Sequence, residues 1–262
     1  MTYYACAAPV WDRVPHGFST RLGGVSPAPW DSLNLGASRG DESANVAENF
    51  RRFRAAIGAP AGPLVKNHQV HSKLVRCVTA ADAQAPEALP SFDADGLVTD
   101  CPGLTLTVFS ADCIPVLFYD PVQSCVAAVH AGWRGTAAGI AAEAVHVMEQ
   151  HYGCQSKNIR AAIGPGISAC CFETTDDVPA ALRAHLGQTA EACITGHQNG
   201  KFHIDLKLAN RLWLEEAGVL PGHISICPAC TACEPDLFWS HRKLGQRRGS
   251  MAAMICLPGE KP

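Results

Sequence analysis

Short apolar segments, interleaved with amphipathic ones, constrain the fold of this chain more than any other feature. Seven segments are short, apolar and bounded by Gly, Pro or Asp, a pattern that is typical of β-strands. The predicted strands are Leu74–Val78, Leu104–Phe109, Ile114–Tyr119, Cys125–His130, Ile159–Ile163, His223–Ile226 and Met251–Leu257.

Four further segments repeat apolar residues at helical spacing; in the first, Val46, Phe50 and Phe53 share one face. The predicted helices are Asn45–Ile57, Thr136–Tyr152, Asp177–Leu186 and Leu206–Ala217, with Asp176 and Asp205 as candidate caps. Strands and helices are mixed without strict alternation, which favours an α/β fold of mixed α+β type over a regular barrel. We therefore expect a single layered domain over residues 1–262, with a mixed β-sheet, flanking helices and an inserted loop at Ala80–Pro90.

Charge and composition exclude several classes of partner. Apolar residues make up 47% of the chain and charged residues 17%, which permits a folded core. The net charge of −3 shows no basic excess, so we expect no nucleic-acid partner. No apolar run approaches the ~18–20 residues of a spanning helix, so we expect no membrane insertion. The first residues lack the basic-then-apolar order of a secretory signal, which predicts a cytoplasmic protein; the oligomeric state stays open.

The cysteines indicate metal binding or a reactive thiol. The chain has 13 of them, an odd number that cannot pair completely in disulfides. Cys227, Cys230 and Cys233 form overlapping Cys-x-x-Cys spacings. Zinc ribbons use two such pairs well apart, so we interpret this single group as reduced, partly buried thiols in preference to a structural zinc site.

Three other segments each place a His or a Cys at the edge of a predicted strand. They are Asn67–Ser72, Ser110–Pro115 and Val129–Thr136, and the residues are His71, Cys113 and His130. Two imidazoles and one thiolate suit zinc, and three protein ligands leave a fourth position open, as catalytic zinc sites do. A single Cys or His at a strand end is usually a packing residue, so the pattern alone also permits an ordinary core.

The turn from Gly132 to Thr136 joins a predicted strand to a predicted helix. Unpaired N–H groups at a helix start attract anions, and Arg134 offers a fork of donors, so Gly132 and Arg134 are candidate anion contacts. A tight turn with a solvated arginine is the alternative. Glu173, which follows a second glycine turn, could hold a metal ligand in place, contact the substrate or be a surface residue.

At these segments the chain resembles the YfiH/YlmD-like family, whose members carry the names purine nucleoside phosphorylase, multicopper polyphenol oxidase (laccase) and peptidoglycan editing factor. The matching motifs run through almost the whole chain: Gly17–Ser26, Ser32–Gly36, Gln69–His71, Ala111–Cys113, His130–Gly135 and Met251–Ala252. The resemblance implies a single YfiH-like domain with zinc held by His71, Cys113 and His130.

The resemblance also implies activity on purine nucleosides with phosphate as co-substrate. The expected reactions are phosphorolysis of adenosine, inosine and methylthioadenosine to the base and ribose 1-phosphate, and deamination of adenosine. In this interpretation the catalytic residues are the zinc triad, Arg134 and Glu173, and His68 and Glu173 are the candidates for proton transfer.

The chain departs from the family pattern at two positions. Phe50 follows Asn49 where the family has Asn-Arg, and Ser250 stands where the family has the arginine of Gly-Arg-Met. If either family arginine holds phosphate or ribose, its loss affects which substrate the chain accepts and how fast it reacts, and the neighbouring Arg51 is not assumed to replace it. The residues Arg21, His68, Gly132, Arg134 and Arg242 are the candidate substrate and anion contacts.

Three alternatives stay open. A Cys–His hydrolase that edits peptidoglycan precursors would use Cys113 as nucleophile and His130 as base. A copper polyphenol oxidase is less favoured, because its copper sites commonly use His-x-His pairs and the chain has none. A zinc-stabilised scaffold would unfold when its metal is removed.

Overall fold

The computed structural model describes residues 1–259, which contain fourteen strands and six α-helices. The strands are β1 Tyr3–Tyr4, β2 His16–Ser19, β3 Leu64–Lys66, β4 Val75–Cys77, β5 Gly96–Thr99, β6 Thr105–Ser110, β7 Ile114–Asp120, β8 Cys125–Ala131, β9 Arg160–Ile163, β10 Glu173–Thr174, β11 Ile194–Gln198, β12 Lys201–Ile204, β13 Ile224–Ile226 and β14 Met251–Cys256. The helices are α1 Ser43–Ala56, α2 Trp133–Ala137, α3 Ile140–Tyr152, α4 Asp177–Leu186, α5 Leu206–Glu216 and α6 His241–Leu244.

The strands form three sheets. A six-stranded mixed sheet has the order β13-β9-β7-β8-β5-β4, and a five-stranded mixed sheet has the order β1-β2-β14-β6-β3. A small antiparallel sheet has the order β10-β12-β11. The mixed α/β class is confirmed, and all seven predicted strands are present, with ends that differ by one residue at most.

The two large sheets pack face to face. Phe18, Leu106 and Ile255 of the five-stranded sheet meet Leu117 and Val126 of the six-stranded sheet in one buried cluster. Helix α1 covers the outer face of the five-stranded sheet, and α3 and α5 cover the outer face of the six-stranded sheet. Strands β7 and β8 are buried along their whole length. Burial on both faces explains why these two strands are continuous apolar runs in the sequence.

The prediction of one helix over Thr136–Tyr152 is wrong. The chain forms α2 and α3, which are separated at Gly139. Gly139 has a φ of +81°, and a side chain there would lie 3.3 Å from the ring of Trp213. The break therefore depends on a left-handed backbone that glycine adopts readily and on close packing against α5.

The other helix predictions hold closely. Helix α4 has the predicted bounds, although the Asp176 side chain makes no capping hydrogen bond. Asp205 does cap α5, because its carboxylate accepts a hydrogen bond from the Leu208 N–H. Across residues 1–259, the helices all fall short of the length and apolar character that crossing a bilayer requires.

Candidate metal centre

Three side chains that are distant in sequence converge beside the two central strands. Cys113 directly precedes β7, and His130 lies in β8, the partner of β7. His71 lies in the loop after β3, and its Nε2 is 3.8 Å from Cys113 Sγ. The His71 and His130 rings are 5.0 Å apart between centroids. One ligand atom from each of the three residues lies within 4.8 Å of the others, so the group could hold one metal ion.

Asp95, which the sequence analysis missed, organises this triad. Its carboxylate is fully buried and lies 2.8 Å from His130 Nδ1. The same carboxylate accepts hydrogen bonds from the backbone N–H groups of His71 and Ser72 at 3.1 and 2.7 Å. A carboxylate on the far nitrogen of a histidine fixes the ring and leaves the other nitrogen for a metal. Asp95 therefore fixes the backbone of the His71 loop and the ring of His130 together.

Two further residues make room for the triad and align its loop. A side chain at Gly132 would lie 2.5 Å from His71 Cδ2 and 3.4 Å from Cys113 Sγ. Glycine at this position leaves space for the three ligands. The Gln69 side chain pairs with the Phe109 backbone, accepting its N–H at 2.6 Å and donating to its carbonyl at 2.8 Å. This pairing ties the loop that carries His71 to β6.

The triad also perturbs its own acid–base properties. Burial disfavours the Cys113 thiolate, but the neighbouring His130 and His71 outweigh burial and lower the pKa of Cys113 to about 6. Burial likewise disfavours the His130 imidazolium, but Cys113 and Asp95 raise the pKa of His130 to about 9. The thiolate form is the one that binds metal, so the surroundings of Cys113 suit a metal ligand.

A cavity of about 550 Å³ opens onto the triad. The described residues that line it include no carboxylate side chain, and three of them are cationic: Arg39, Lys66 and Arg248. Lys66 and Arg248 are 1% and 8% exposed, so two of these cations are buried. Burial lowers the pKa of Lys66 to about 8 and that of Arg248 to about 10, with Arg39 adding to the effect on Arg248.

The two arginines contact Ser250, and one Arg248 donor is left without a partner among the described residues. Arg39 Nε and Arg248 Nη1 donate to Ser250 Oγ at 3.3 and 3.5 Å. Arg248 Nε is buried and has no hydrogen-bond partner within residues 1–259. Buried donors without partners are costly, so this wall of the cavity is suited to an anion. No sequence pattern links these residues, because Arg39, Lys66 and Arg248 come from three distant parts of the chain.

Comparisons with known proteins place the chain in a family. The family described as "Multi-copper polyphenol oxidoreductase laccase" matches residues 15–258. YlmD of Geobacillus stearothermophilus, named a purine nucleoside phosphorylase, is 37% identical over 95% of the chain and 92% of its own length. The chain belongs to the YfiH/YlmD family. Among proteins of this family, the purine nucleoside phosphorylase of Deinococcus radiodurans is 40% identical over 94% of the chain and 90% of its own length.

Solved structures of the YfiH/YlmD family agree with the fold. The crystal structure of Geobacillus stearothermophilus YlmD has a TM-score of 0.93 at 36% identity and covers 98% of this chain and 97% of that one. The crystal structure of Bacillus licheniformis YfiH has a TM-score of 0.88 at 37% identity and covers 94% of each chain.

In this YfiH/YlmD family member, one of the five predicted substrate and anion contacts is among the residues that line the cavity. His68 lines the cavity, and its Nδ1 lies 2.7 Å from Asp93 Oδ1. Arg134 stacks on the ring of Trp133 at 4.2 Å and is not among the residues that line the cavity. The role of Arg134 as an anion contact stays a prediction.

The other predicted contacts support neighbouring loops. Arg21 stacks on Trp239 at 3.9 Å and donates to the Pro235 carbonyl at 2.8 Å. Arg242 donates to the backbone carbonyl of Glu173 at 3.0 Å, and the Glu173 side chain is exposed. The structure therefore joins Arg242 to Glu173 but brings neither into the cavity, and their substrate roles stay predictions.

Proposed function

We propose that the chain is a zinc-dependent purine nucleoside phosphorylase that splits adenosine, inosine and methylthioadenosine with phosphate into the base and the corresponding sugar 1-phosphate. One observation carries the proposal: the candidate metal-ligand triad and three cationic side chains line the same cavity. The names of close relatives support an enzyme of this kind. We also infer that the chain acts as one domain, because the core between its large sheets draws residues from both.

His71, Cys113 and His130 would hold the zinc ion. Their donor set is that of a catalytic zinc site, and the Asp95 contact to His130 is the support that such ligands usually have. When bound, zinc supplies a Lewis acid that polarises an oxygen of the substrate. All 13 cysteines are free, which supports work in a reducing compartment such as the cytoplasm.

Arg39, Lys66 and Arg248 would bind the phosphate. Bidentate arginine pairs suit phosphate oxygens, and no carboxylate among the described lining residues competes for these cations. These cations also lie near the two positions, Phe50 and Ser250, at which the chain departs from the family pattern. Lys66 Nζ lies 5.5 Å from the centre of the Phe50 ring, and the two arginines contact Ser250. A basic group thus lies beside each position at which the family has arginine.

The nucleoside would occupy the remainder of the cavity. Leu89, Pro90 and Phe109 give its wall apolar surface for a purine ring. In the reaction a phosphate oxygen bonds to C1′ of the sugar, the bond from C1′ to the base nitrogen breaks, and the base keeps the electron pair. His68, held by Asp93, would supply the proton that the departing base takes. Of the two predicted proton donors, His68 and Glu173, only His68 lines the cavity.

The test is a nucleoside screen on the purified zinc-loaded protein, with products identified by chromatography and mass spectrometry. We expect adenine from adenosine and hypoxanthine from inosine, each with ribose 1-phosphate and only when phosphate is present. Release of free ribose without phosphate would contradict phosphorolysis. We further propose that the same site deaminates adenosine with water, which predicts inosine and ammonia as phosphate-independent products.

A Cys–His hydrolase is the second candidate, favoured by the contact from His130 to the buried Asp95, which completes a Cys–His–Asp arrangement. His71 argues against it, because a nucleophilic cysteine needs one imidazole and this sulfur faces two. A covalent acyl adduct on Cys113 in metal-free protein, found by mass spectrometry with peptidoglycan fragments, would favour the hydrolase.

A further inference from the structure

Four cysteines meet away from the triad, on two loops at the end of β9 and after β13. Cys170 and Cys171 lie on the first loop, and Cys230 and Cys233 on the second. Their four sulfur atoms all lie within 4.8 Å of one another. Cys227, which the sequence analysis grouped with Cys230 and Cys233, is not part of this group. The four residues are called the tetracysteine cluster below.

The sulfur spacing in the tetracysteine cluster matches a tetrahedral metal site. Cys233 Sγ lies 3.5 Å from Cys170 Sγ and 3.4 Å from Cys171 Sγ, and the sulfurs of Cys170 and Cys171 are 3.9 Å apart. Four thiolates at the usual Zn–S distance of about 2.3 Å stand about 3.8 Å apart in a regular tetrahedron. A disulfide requires about 2.05 Å, so the spacing fits four ligands of one ion better than a bond.

A backbone donor and a buried cation lie beside the cluster. The Ser168 backbone N–H donates to Cys230 Sγ at 3.3 Å. Lys207 is 5% exposed, and its ammonium donates to Ser168 Oγ, the Cys227 carbonyl and the Ala229 carbonyl at 3.1, 2.9 and 2.7 Å. A buried cation between the two loops offsets the negative charge that four thiolates around a divalent ion would carry.

We propose that the tetracysteine cluster binds a second zinc ion, structural in role, that joins the two loops. Four thiolates would fill all four coordination positions of zinc, and none of the four cysteines lines the cavity. The bound ion would therefore have no open position for a substrate. Cys170 and Cys233 are exposed, which gives a metal ion a path to the cluster.

The two loops that this zinc would join also support the turn before Cys113. The Ile167 N–H donates to the Asp112 carbonyl at 2.8 Å, and Thr231 Oγ1 donates to Asp112 Oδ1 at 2.6 Å. Asp112 is buried with a φ of +92°, a conformation that its surroundings must impose. A second zinc would therefore stabilise the backbone that presents Cys113, although it takes no part in the reaction.

The experiment counts zinc per chain by elemental mass spectrometry in protein purified with reductant. We expect two zinc ions in the natural chain, one in His71→Ala, one in the double variant Cys230→Ser with Cys233→Ser, and two in Cys227→Ser. Cys227 is the matched control, since it lies on the same loop but outside the cluster. Cobalt-loaded His71→Ala should show the strong sulfur-to-cobalt absorption of a thiolate site, and the double variant should lose most of it.

Two results would overturn the proposal. One is a natural chain that holds a single zinc, all of which is lost in His71→Ala. The other is a peptide in which Cys233 is disulfide-linked to Cys170 or Cys171 in reduced preparations. If the double variant fails to fold, zinc and cobalt in His71→Ala decide the question alone. The zinc count is independent of the proposed function. If the natural chain has no nucleoside activity but the His71→Ala variant still holds one zinc ion, the cluster site is supported and the proposed function is not.

Discussion

The molecule has two groups of candidate metal ligands, and the surroundings of the two groups differ sharply. The triad lines a cavity, mixes two imidazoles with one thiolate and depends on the buried Asp95. The tetracysteine cluster contacts no part of that cavity, contains only thiolates and lies between loops that Lys207 joins.

Three ligands would leave one coordination position of a metal ion open, whereas four thiolates would complete a tetrahedron. We infer that an open position beside Arg39 and Arg248 would make the first centre reactive, and that the second centre would be structural. The two centres should therefore separate in experiment: loss of the first should affect turnover, and loss of the second should affect stability.

The largest expected effect is on turnover in His71→Ala. Because a catalytic metal contributes several kcal/mol to the transition state, kcat/KM should fall by about 100-fold or more. His71 is exposed, so we expect little change in Tm. His146→Ala, on the exposed face of α3, is the control and should keep full activity. A His71→Ala protein that keeps its activity would break the assignment of the triad as the reactive centre.

Asp95→Asn should weaken zinc binding at the triad by about 10- to 100-fold, since it removes the carboxylate that orients His130. Competition with a chelator measures this affinity. Asp93→Asn, the exposed neighbour that contacts only His68 among the catalytic candidates, should leave zinc affinity unchanged. Equal weakening at the tetracysteine cluster would show that Asp95 acts on the whole fold and not on one centre.

Arg248→Ala should raise KM for phosphate by about 10- to 100-fold, because a hydrogen bond to a charged group contributes about 1.5–3 kcal/mol. Both zinc ions should remain. Arg51→Ala removes an exposed arginine that pairs with Glu48 outside the cavity. This variant should change neither the KM for phosphate nor the number of bound zinc ions. Steady-state kinetics at varied phosphate make the comparison, and an unchanged KM would remove Arg248 from the anion site.

The smallest expected effect is a pH dependence of phosphate binding. Burial lowers the pKa of Lys66 to about 8, partly opposed by Glu87, so its ammonium loses charge as pH rises through that value. KM for phosphate should therefore be lowest below pH 8 and rise severalfold, on the order of 3- to 10-fold, above it. Lys66→Arg keeps its charge over this range and should abolish the rise. The same rise in Lys66→Arg would assign the dependence to another group.

Much of the fold could be predicted because the signals for its strands and helices lie in residues that are neighbours in sequence. Strands β7 and β8 are apolar on both faces, and α5 carries its own cap at Asp205. The break at Gly139 could not be predicted, since the packing of Trp213 that accompanies it comes from a helix more than seventy residues away. Strand β5, Gly96–Thr99, was not predicted, and Asp95, which directly precedes it, was missed with it.

The class of the fold and the family could be identified from the sequence, because short apolar segments and ordered local motifs carry that information. The same motifs named His71, Cys113 and His130 as candidate metal ligands, and folding brings these three side chains together. The cationic lining of the cavity and the tetracysteine cluster could be found only in the folded chain. Arg39, Lys66 and Arg248 line one cavity, and Cys170 and Cys171 meet Cys230 and Cys233, only after distant segments pack. Charged and metal-binding side chains interact only when they are within a few ångströms of one another, and for these residues folding of the sheets and loops brings them that close.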